Sequence, residues 1–289
     1  MYEAFYGLRE NPFGTTPDPR YLYKSRAHRE ALAYLAHGIF LKKGFLALTG
    51  EVGVGKTTVV RAFVQTFHPC LEVSFVINTK VDFREMLYML LTDFGVEIKS
   101  DLKVAMLAQL NEFLIKRYAE NQNPVLVIDE AQNLSPDVLE ELRMLSNLET
   151  NQQKLIQIVL VGQPELWHLL QRDDLRQLRQ RIPGVCHMKL LSRDEVYRYV
   201  RYRLAVAGLT NGQLVFSEEA IDGIFEYSAG TPRLINMLCD RILLRGYLQK
   251  ARAIESDLVF ASAQELGVVA GSDIDDRHGR RAAGGGAAH

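Results

Sequence analysis

Short apolar runs alternate with longer helix-like segments between residues 45 and 190. The runs cover residues 45–49, 71–77, 125–128, 156–161 and 186–190, and segments such as 102–118 between them have helical periodicity. Runs of consecutive apolar residues are typical of strands that are buried on both faces, as in parallel sheets covered by helices. The pattern predicts an α/β fold with five strands in a largely parallel sheet.

The pattern changes after residue 190, where the strand-like runs disappear. Ser192 and Glu195 have the spacing of a capping box, which predicts a helix that Gly208 can end. Helical periodicity also covers residues 217–228, 232–248 and 255–264. We therefore expect an N-terminal arm and α/β core over residues 1–191, followed by a small all-helical domain over 192–266. Residues 267–289 are rich in Gly, Ala and charged side chains, which predicts a disordered tail or a vector-derived remnant.

A phosphate-binding loop is predicted between the first strand and the following helical segment. Residues 50–57 read GEVGVGKT and match the pattern GxxxxGK[ST]. Glycines allow the backbone N–H groups to point at an anion, and the helix N-terminus adds partial positive charge. We expect Lys56 to reach the β- and γ-phosphates of ATP and Thr57 to bind Mg²⁺. The predicted nucleotide contacts are Gly50, Glu51, Val52, Gly53, Val54, Gly55, Lys56, Thr57 and Thr58.

Two carboxylates follow the third predicted strand. The segment PVLVIDE places Asp129 and Glu130 directly after four apolar residues, where ligands bind in open α/β sheets. An acidic turn of this kind can simply be solvated. Together with the phosphate loop, however, it predicts that Asp129 binds Mg²⁺ and that Glu130 orients and polarises the attacking water.

These residues resemble the AAA+ superfamily of P-loop ATPases, and the resemblance implies further roles. It assigns Gln163, after the fourth strand, as the sensor 1 residue beside the γ-phosphate. It places an arginine finger in LRQLRQRI, with Arg181 ranked before Arg179, and a second sensor, Arg233, in GTPR. The arginines near residue 180 can instead pair with carboxylates on a solvated helix. A finger that acts in trans implies an ATP-dependent homo-oligomer, a ring or spiral.

More specific segments resemble the ExeA family, also called general secretion pathway protein A. They read FYGLRENPF, PDPRYLY, HREAL, GQPEL and GTPRLIN, and the resemblance covers roughly residues 1–266. It implies an ATP hydrolase that drives assembly or regulation of a bacterial cell-envelope machine of the type II secretion kind, working with an envelope-assembly partner protein. It also implies a cytoplasmic protein, peripheral to the inner membrane through that partner. Phe13 and Tyr21 can form walls for adenine, or can anchor the N-terminal arm.

Two other function classes remain open. A neighbouring branch contains DNA-associated transposition regulators of the TnsC type, and Arg241, Arg245, Lys250 and Arg252 could form a stripe that binds DNA phosphates. Such a charge run is usually a solvated helix face, so DNA binding is possible but not favoured. A nucleotide-gated scaffold with negligible hydrolysis would need the same loop and acidic pair but no arginine finger.

The composition and charge of the chain exclude several further classes of protein. Lys and Arg number 34 against 35 Asp and Glu, giving a formal net charge of -1, which argues against coating of nucleic acid through bulk charge. The longest stretch without a charged side chain, 204–217, is too short for a membrane span. The first residues lack a signal-peptide pattern. The 3 cysteines and 7 histidines show no metal-ligand spacing, so a metalloenzyme has no support.

Overall fold

The structure, a computed structural model, describes residues 1–14, 16, 18–77, 79–150, 153–209 and 214–268. The predicted tail over 267–289 therefore lies outside the described residues from position 269 onward. The strands are β1 (Phe45–Gly50), β2 (Leu71–Val76), β3 (Asn123–Ile128), β4 (Gln157–Gly162), β5 (Val185–Met188), β6 (Val215–Phe216) and β7 (Ala253–Ile254). The helices are α1 (Tyr2–Tyr6), α2 (Arg26–Phe40), α3 (Lys56–Phe67), α4 (Phe83–Asp93), α5 (Lys103–Ala119), α6 (Pro136–Leu145), α7 (Pro164–Leu170), α8 (Arg176–Arg179), α9 (Arg193–Val206), α10 (Glu218–Ser228), α11 (Pro232–Leu248) and α12 (Ser256–Leu266).

The described chain forms two compact units. One contains residues 26–52 and 56–189, and the other contains residues 1–25, 53–55 and the chain from 190 onward. We refer to them as the sheet unit and the helical unit.

The sheet unit contains a five-stranded parallel sheet with the strand order β2-β3-β4-β1-β5. The predicted α/β fold and its five strands are confirmed, with small shifts such as β3 beginning at Asn123 rather than at 125. Strands β1, β3 and β4 are buried along their whole length, because helices of the same unit pack on the sheet. This double burial explains why their sequences are continuous apolar runs rather than alternating ones.

Side chains from the sheet and its helices form one hydrophobic core. Its members include Leu126 and Ile158 from the strands and Leu87, Leu110 and Leu139 from helices α4, α5 and α6. The core fixes the strands in register, so that the carboxyl ends of β1, β4 and β3 lie side by side at one edge of the sheet. Residues that follow these three strands are thereby brought together.

The helical unit contains α9–α12 and also the first residues of the chain. Ser192 caps α9 in a reciprocal capping box with Glu195, as predicted. Its core includes Val200, Ile224 and Ile242 together with the arm residues listed here: Tyr2, Tyr6, Leu8, Phe13 and Tyr21. The arm was predicted to belong with the core over 1–191. In the structure it packs within the helical unit instead, because its aromatic side chains complete that unit's hydrophobic core.

One buried cation ties the arm to α9. The side chain of Arg203 is only 6% exposed, and it donates hydrogen bonds to the carbonyl of Pro12 at 2.5 Å and to the Tyr199 hydroxyl at 2.9 Å. Its guanidinium lies 4.7 Å from the centre of the Tyr21 ring, within cation–π range. Phe13 and Tyr21 are both buried in this arrangement, which favours the interpretation that they anchor the arm over the interpretation that they form walls for adenine.

The prediction of an all-helical domain requires one correction. Strands β6 and β7 pair in parallel, Val215 with Ala253 and Phe216 with Ile254. Each strand has only two residues, so neither produces a recognisable apolar run. Across the described residues, no helix is both long and apolar enough to span a membrane.

Candidate nucleotide-binding site

The loop between β1 and α3 has the backbone that the phosphate-loop pattern requires. Gly53 and Gly55 have φ angles of 80° and 101°, in the region that L side chains rarely adopt. Of the loop residues, Glu51 and Val52 are exposed, whereas Val54 is buried. Helix α3 begins directly at Lys56, so its free N–H groups and partial positive charge face the concave side of the loop.

The ammonium of Lys56 is held by the loop itself. Its Nζ atom donates to the carbonyls of Gly50 at 2.7 Å and Glu51 at 3.0 Å. The side chain is buried, and this burial lowers the pKa of Lys56 although the charges of Glu130 and Asp129 oppose the shift. A desolvated cation beside a ring of backbone donors fits the β- and γ-phosphates of a nucleotide.

Thr57 and Asp129 meet across the sheet edge. The hydroxyl of Thr57 donates to Oδ2 of Asp129 at 2.6 Å, while Oδ1 of Asp129 accepts the Glu130 N–H at 3.0 Å. Mg²⁺ prefers hard oxygen ligands and is commonly held by one or two protein groups plus phosphate oxygens. The hydroxyl and carboxylate therefore fit that ion, with chemistry and placement as the sequence predicts.

Glu130 has a fixed backbone and a fixed side chain. Its φ of 51° places it in the left-handed region, an uncommon conformation for a non-glycine residue that clusters at functional sites. Its Oε2 atom accepts hydrogen bonds from the side-chain amides of Gln132 at 2.6 Å and Gln163 at 3.0 Å. Burial alone would raise the pKa of Glu130, but these two hydrogen bonds and the Lys56 charge lower it overall.

Residues after three different strands thus contact one residue, Glu130. Gln163 follows β4, as predicted, and Thr79 lies after β2 with its hydroxyl 3.2 Å from the Glu130 carbonyl. Thr79 and Gln132 are not among the residues predicted from the sequence. Only their positions gave a signal: Thr79 follows a predicted strand, and Gln132 is two residues beyond the acidic pair.

Comparison with known proteins identifies the family of this chain. Residues 41–170 match a family model described as an AAA domain. Over 270 residues, or 93% of this chain, the sequence is 41% identical to general secretion pathway protein A of Aeromonas hydrophila. The chain is an AAA-domain protein of the general secretion pathway protein A family. It spans 49% of the length of that relative, and the resemblance recognised from the sequence is confirmed.

Solved structures share the fold of this AAA-domain chain. Cdc6p from Pyrobaculum aerophilum superposes with a TM-score of 0.68 at 19% identity, covering 88% of this chain and 70% of that one. The ORC2 protein of Aeropyrum pernix, in its ADPNP–ADP complexes, gives 0.67 at 17% identity, covering 89% and 71%. At these identities the similarity concerns the fold alone.

The candidate arginines lie outside the matched AAA domain. Arg179 ends α8 and donates to the backbone and side-chain oxygens of Gln171, each at 3.1 Å. Arg181 follows in a turn before β5, and among the described residues its guanidinium has no hydrogen-bond or ion-pair partner. Asp174 pairs with Arg172 rather than with either candidate. Arg181 is therefore the candidate without a hydrogen bond or a close ion pair in the described chain, although its charge interacts with that of Glu149.

Arg233 lies near the start of α11, in the same compact unit as Gly53. Its backbone N–H is 3.3 Å from the Gly53 carbonyl. A Cβ added to Gly53 would lie 2.7 Å from the Arg233 Cβ, so the glycine is required for this approach as well as for its φ angle. Arg233 is exposed, and its role as a sensor remains a prediction.

The basic stripe proposed for DNA is largely occupied by intramolecular contacts. Arg241 and Arg245 both form ion pairs with Glu265. Arg252 lies over the Phe5 ring at 5.2 Å from its centre. Because these charges are partly neutralised or stacked, the arrangement favours an ion-paired helix surface over a phosphate-binding stripe.

Proposed function

We propose that this chain binds ATP together with Mg²⁺ and hydrolyses the bond between the β- and γ-phosphates. The observation that carries the proposal is the arrangement of Glu130, whose carboxylate is fixed by two amide donors next to the Thr57–Asp129 pair. A nucleotide-binding loop alone would support binding only. A positioned carboxylate in addition supports activation of water.

The roles follow from the positions of the residues. The loop N–H groups and Lys56 would bind the phosphates. Mg²⁺, held through Thr57 and Asp129, would supply positive charge against the phosphate oxygens. Glu130 would orient the attacking water and accept its proton, and the lowered pKa keeps its carboxylate ionised for that purpose. Gln163 would help to hold Glu130 in place.

Two substitutions test this proposal with phosphate release and nucleotide affinity measured separately. Loss of a positioned base costs about 10² to 10⁴ in rate, so Glu130→Gln should bind ATP normally but turn over more slowly by that factor. Lys56→Ala should bind ATP at least roughly tenfold more weakly, because a charge-assisted hydrogen bond is lost. Equal turnover of wild type and Glu130→Gln would exclude the mechanism.

Matched controls separate these effects from general damage. Glu112 and Lys116 are exposed residues on α5, in the same sheet unit but away from the edge that carries the site. Glu112→Gln and Lys116→Ala make the same chemical changes and should leave both turnover and ATP affinity unchanged.

The biological role we propose rests on the relative's name. Because the chain is 41% identical to general secretion pathway protein A, we propose that ATP turnover drives assembly or regulation of a cell-envelope machine of the type II secretion kind, through a partner protein on the cytoplasmic side of the inner membrane. The unpaired Arg181 supports a finger supplied to a neighbouring subunit, and hence an ATP-dependent ring or spiral of identical chains.

A further inference from the structure

We propose that Gln132 is a positioning residue for Glu130, and that it links this carboxylate to the backbone that follows β4. The inference rests on the proposed hydrolysis of ATP and adds to it a residue that the AAA-domain pattern did not identify. Gln132 would act through Glu130 alone and would not contact the substrate.

A closed ring of hydrogen bonds carries the proposal. The Gln132 amide nitrogen donates to Oε2 of Glu130 at 2.6 Å, and the Gln132 amide oxygen accepts the backbone N–H of Gln163 at 3.1 Å. The Gln163 side chain closes the ring by donating to the same Oε2 atom at 3.0 Å. The carboxylate is thus held by two donors, one of which is itself held by the backbone.

The same ring fixes the orientation of the Gln132 amide. A glutamine amide can be turned over so that its oxygen and nitrogen exchange places. In the exchanged orientation, an NH₂ group would face the Gln163 N–H and an oxygen would face the Glu130 carboxylate, so both contacts would become repulsive. Gln132 can therefore present only a donor to Glu130.

Gly162 provides the space for this amide. A Cβ built on Gly162 would lie 2.6 Å from the Gln132 amide oxygen, closer than such atoms approach in real proteins. The last residue of β4 must therefore be small if Gln132 is to reach both partners. The position of Gln132 is thus determined by the backbone on two sides, after β3 and at the end of β4.

The two hydrogen bonds leave one oxygen of the Glu130 carboxylate available to the attacking water. Both amides bind Oε2, and among the described residues no donor is bonded to Oε1 of Glu130. A carboxylate held by one oxygen, on a backbone that Thr79 also fixes through the Glu130 carbonyl, presents the other oxygen in a constant direction. Preorganisation of this kind raises the rate at which a bound substrate reacts and leaves the affinity for that substrate unchanged.

The main test is Gln132→Met, which keeps the length of the side chain but removes both hydrogen bonds. We expect kcat for ATP to fall roughly 10- to 100-fold, the effect of losing one hydrogen bond to a charged group, while KM and the Kd for ATP stay unchanged. Gln132→Leu has neither the donor to Glu130 nor the acceptor for Gln163 and adds no charge beside the carboxylate, and should show the same loss. Gln65→Met, at an exposed position of α3, is the matched control and should have wild-type kinetics.

A double variant distinguishes positioning from structural damage. If Gln132 acts only through Glu130, adding Gln132→Met to Glu130→Gln should reduce turnover no further. Wild-type kcat in either single variant, or a further loss in the double variant, would overturn the proposal while leaving ATP hydrolysis by Glu130 intact. The proposed function itself would instead fail if wild type and Glu130→Gln turned over equally.

Discussion

The substitution Arg203→Met should release the N-terminal arm from the helical unit. Arg203 is buried, and its guanidinium donates to the Pro12 carbonyl and the Tyr199 hydroxyl and lies over the Tyr21 ring. Methionine has a similar length and no charge. The change therefore removes these contacts without opening a large cavity, and it leaves the Pro12 carbonyl without its donor.

The magnitude follows from the contacts that are lost. The two shorter hydrogen bonds from this charged group contribute roughly 1.5–3 kcal/mol each, a third, to the Gly14 carbonyl at 3.3 Å, contributes less, and a desolvated cation–π contact contributes about 2 kcal/mol. Relief of the cost of burying the charge offsets part of this sum. We expect the free energy of unfolding of the helical unit to fall by about 3 kcal/mol, which at a typical urea dependence moves the midpoint down by roughly 1–3 M.

Two natural probes allow each unit to be measured by itself. Cys239 is fully buried in the helical unit, and burial raises the pKa of its thiol, so its reaction with a thiol reagent requires that unit to open. The single tryptophan, Trp167, lies on α7 in the sheet unit. The midpoint for Cys239 labelling should fall in the variant, and Trp167 fluorescence provides the internal reference.

The control is Arg201→Met, which changes an exposed arginine on the same helix and should leave the free energy of unfolding within about 0.5 kcal/mol of wild type. Trypsin provides a second readout, because Arg9 and Arg20 in a released arm would be cleaved faster. Unchanged Cys239 protection together with unchanged cleavage of the arm would refute the anchoring role of Arg203.

Two predictions concern the proposed ATPase site. Mixing Lys56→Ala with Arg181→Ala chains should restore some ATP turnover, because the first supplies an arginine and the second supplies a competent site; failure at every mixing ratio would argue against a finger acting in trans. Thr57→Val should raise the Mg²⁺ concentration for half-maximal turnover by roughly tenfold or more, since it removes a predicted ligand. In the Mg²⁺ titration, Thr66→Val on the exposed side of α3 is the control, and a wild-type Mg²⁺ dependence of Thr57→Val would contradict the assignment.

The sheet and the phosphate loop could be predicted because their determinants are local. Strands such as β1 and β4 are buried on both faces, so each forms an uninterrupted apolar run that stands out in the sequence. The loop pattern likewise depends on adjacent residues, and Gly53 and Gly55 occur where left-handed backbone is needed. Asp129 and Gln163 could be placed because both directly follow strands whose ends share one edge of the sheet.

Other features could not be predicted because they depend on contacts between distant positions. Arg203 contacts a carbonyl 191 positions earlier in the chain, and an arginine within a helix of mixed polarity gives no sign of burial. Gln132 resembles an ordinary polar residue in a turn, and only the register of β3 and β4 shows that it faces Glu130. Strands β6 and β7 have two residues each, a single period of strand alternation, which is too short to be recognised in the sequence.

The placement of the first residues in the helical unit has a consequence for synthesis of the chain. Residues 1–25 are synthesised well before their packing partners, which begin at residue 190. At synthesis rates of about 5–20 residues per second, the arm waits roughly ten to thirty seconds for those partners while the sheet unit is made between them. During that interval Tyr6 and Phe13 have no core to enter, so these two aromatic side chains stay available to a chaperone.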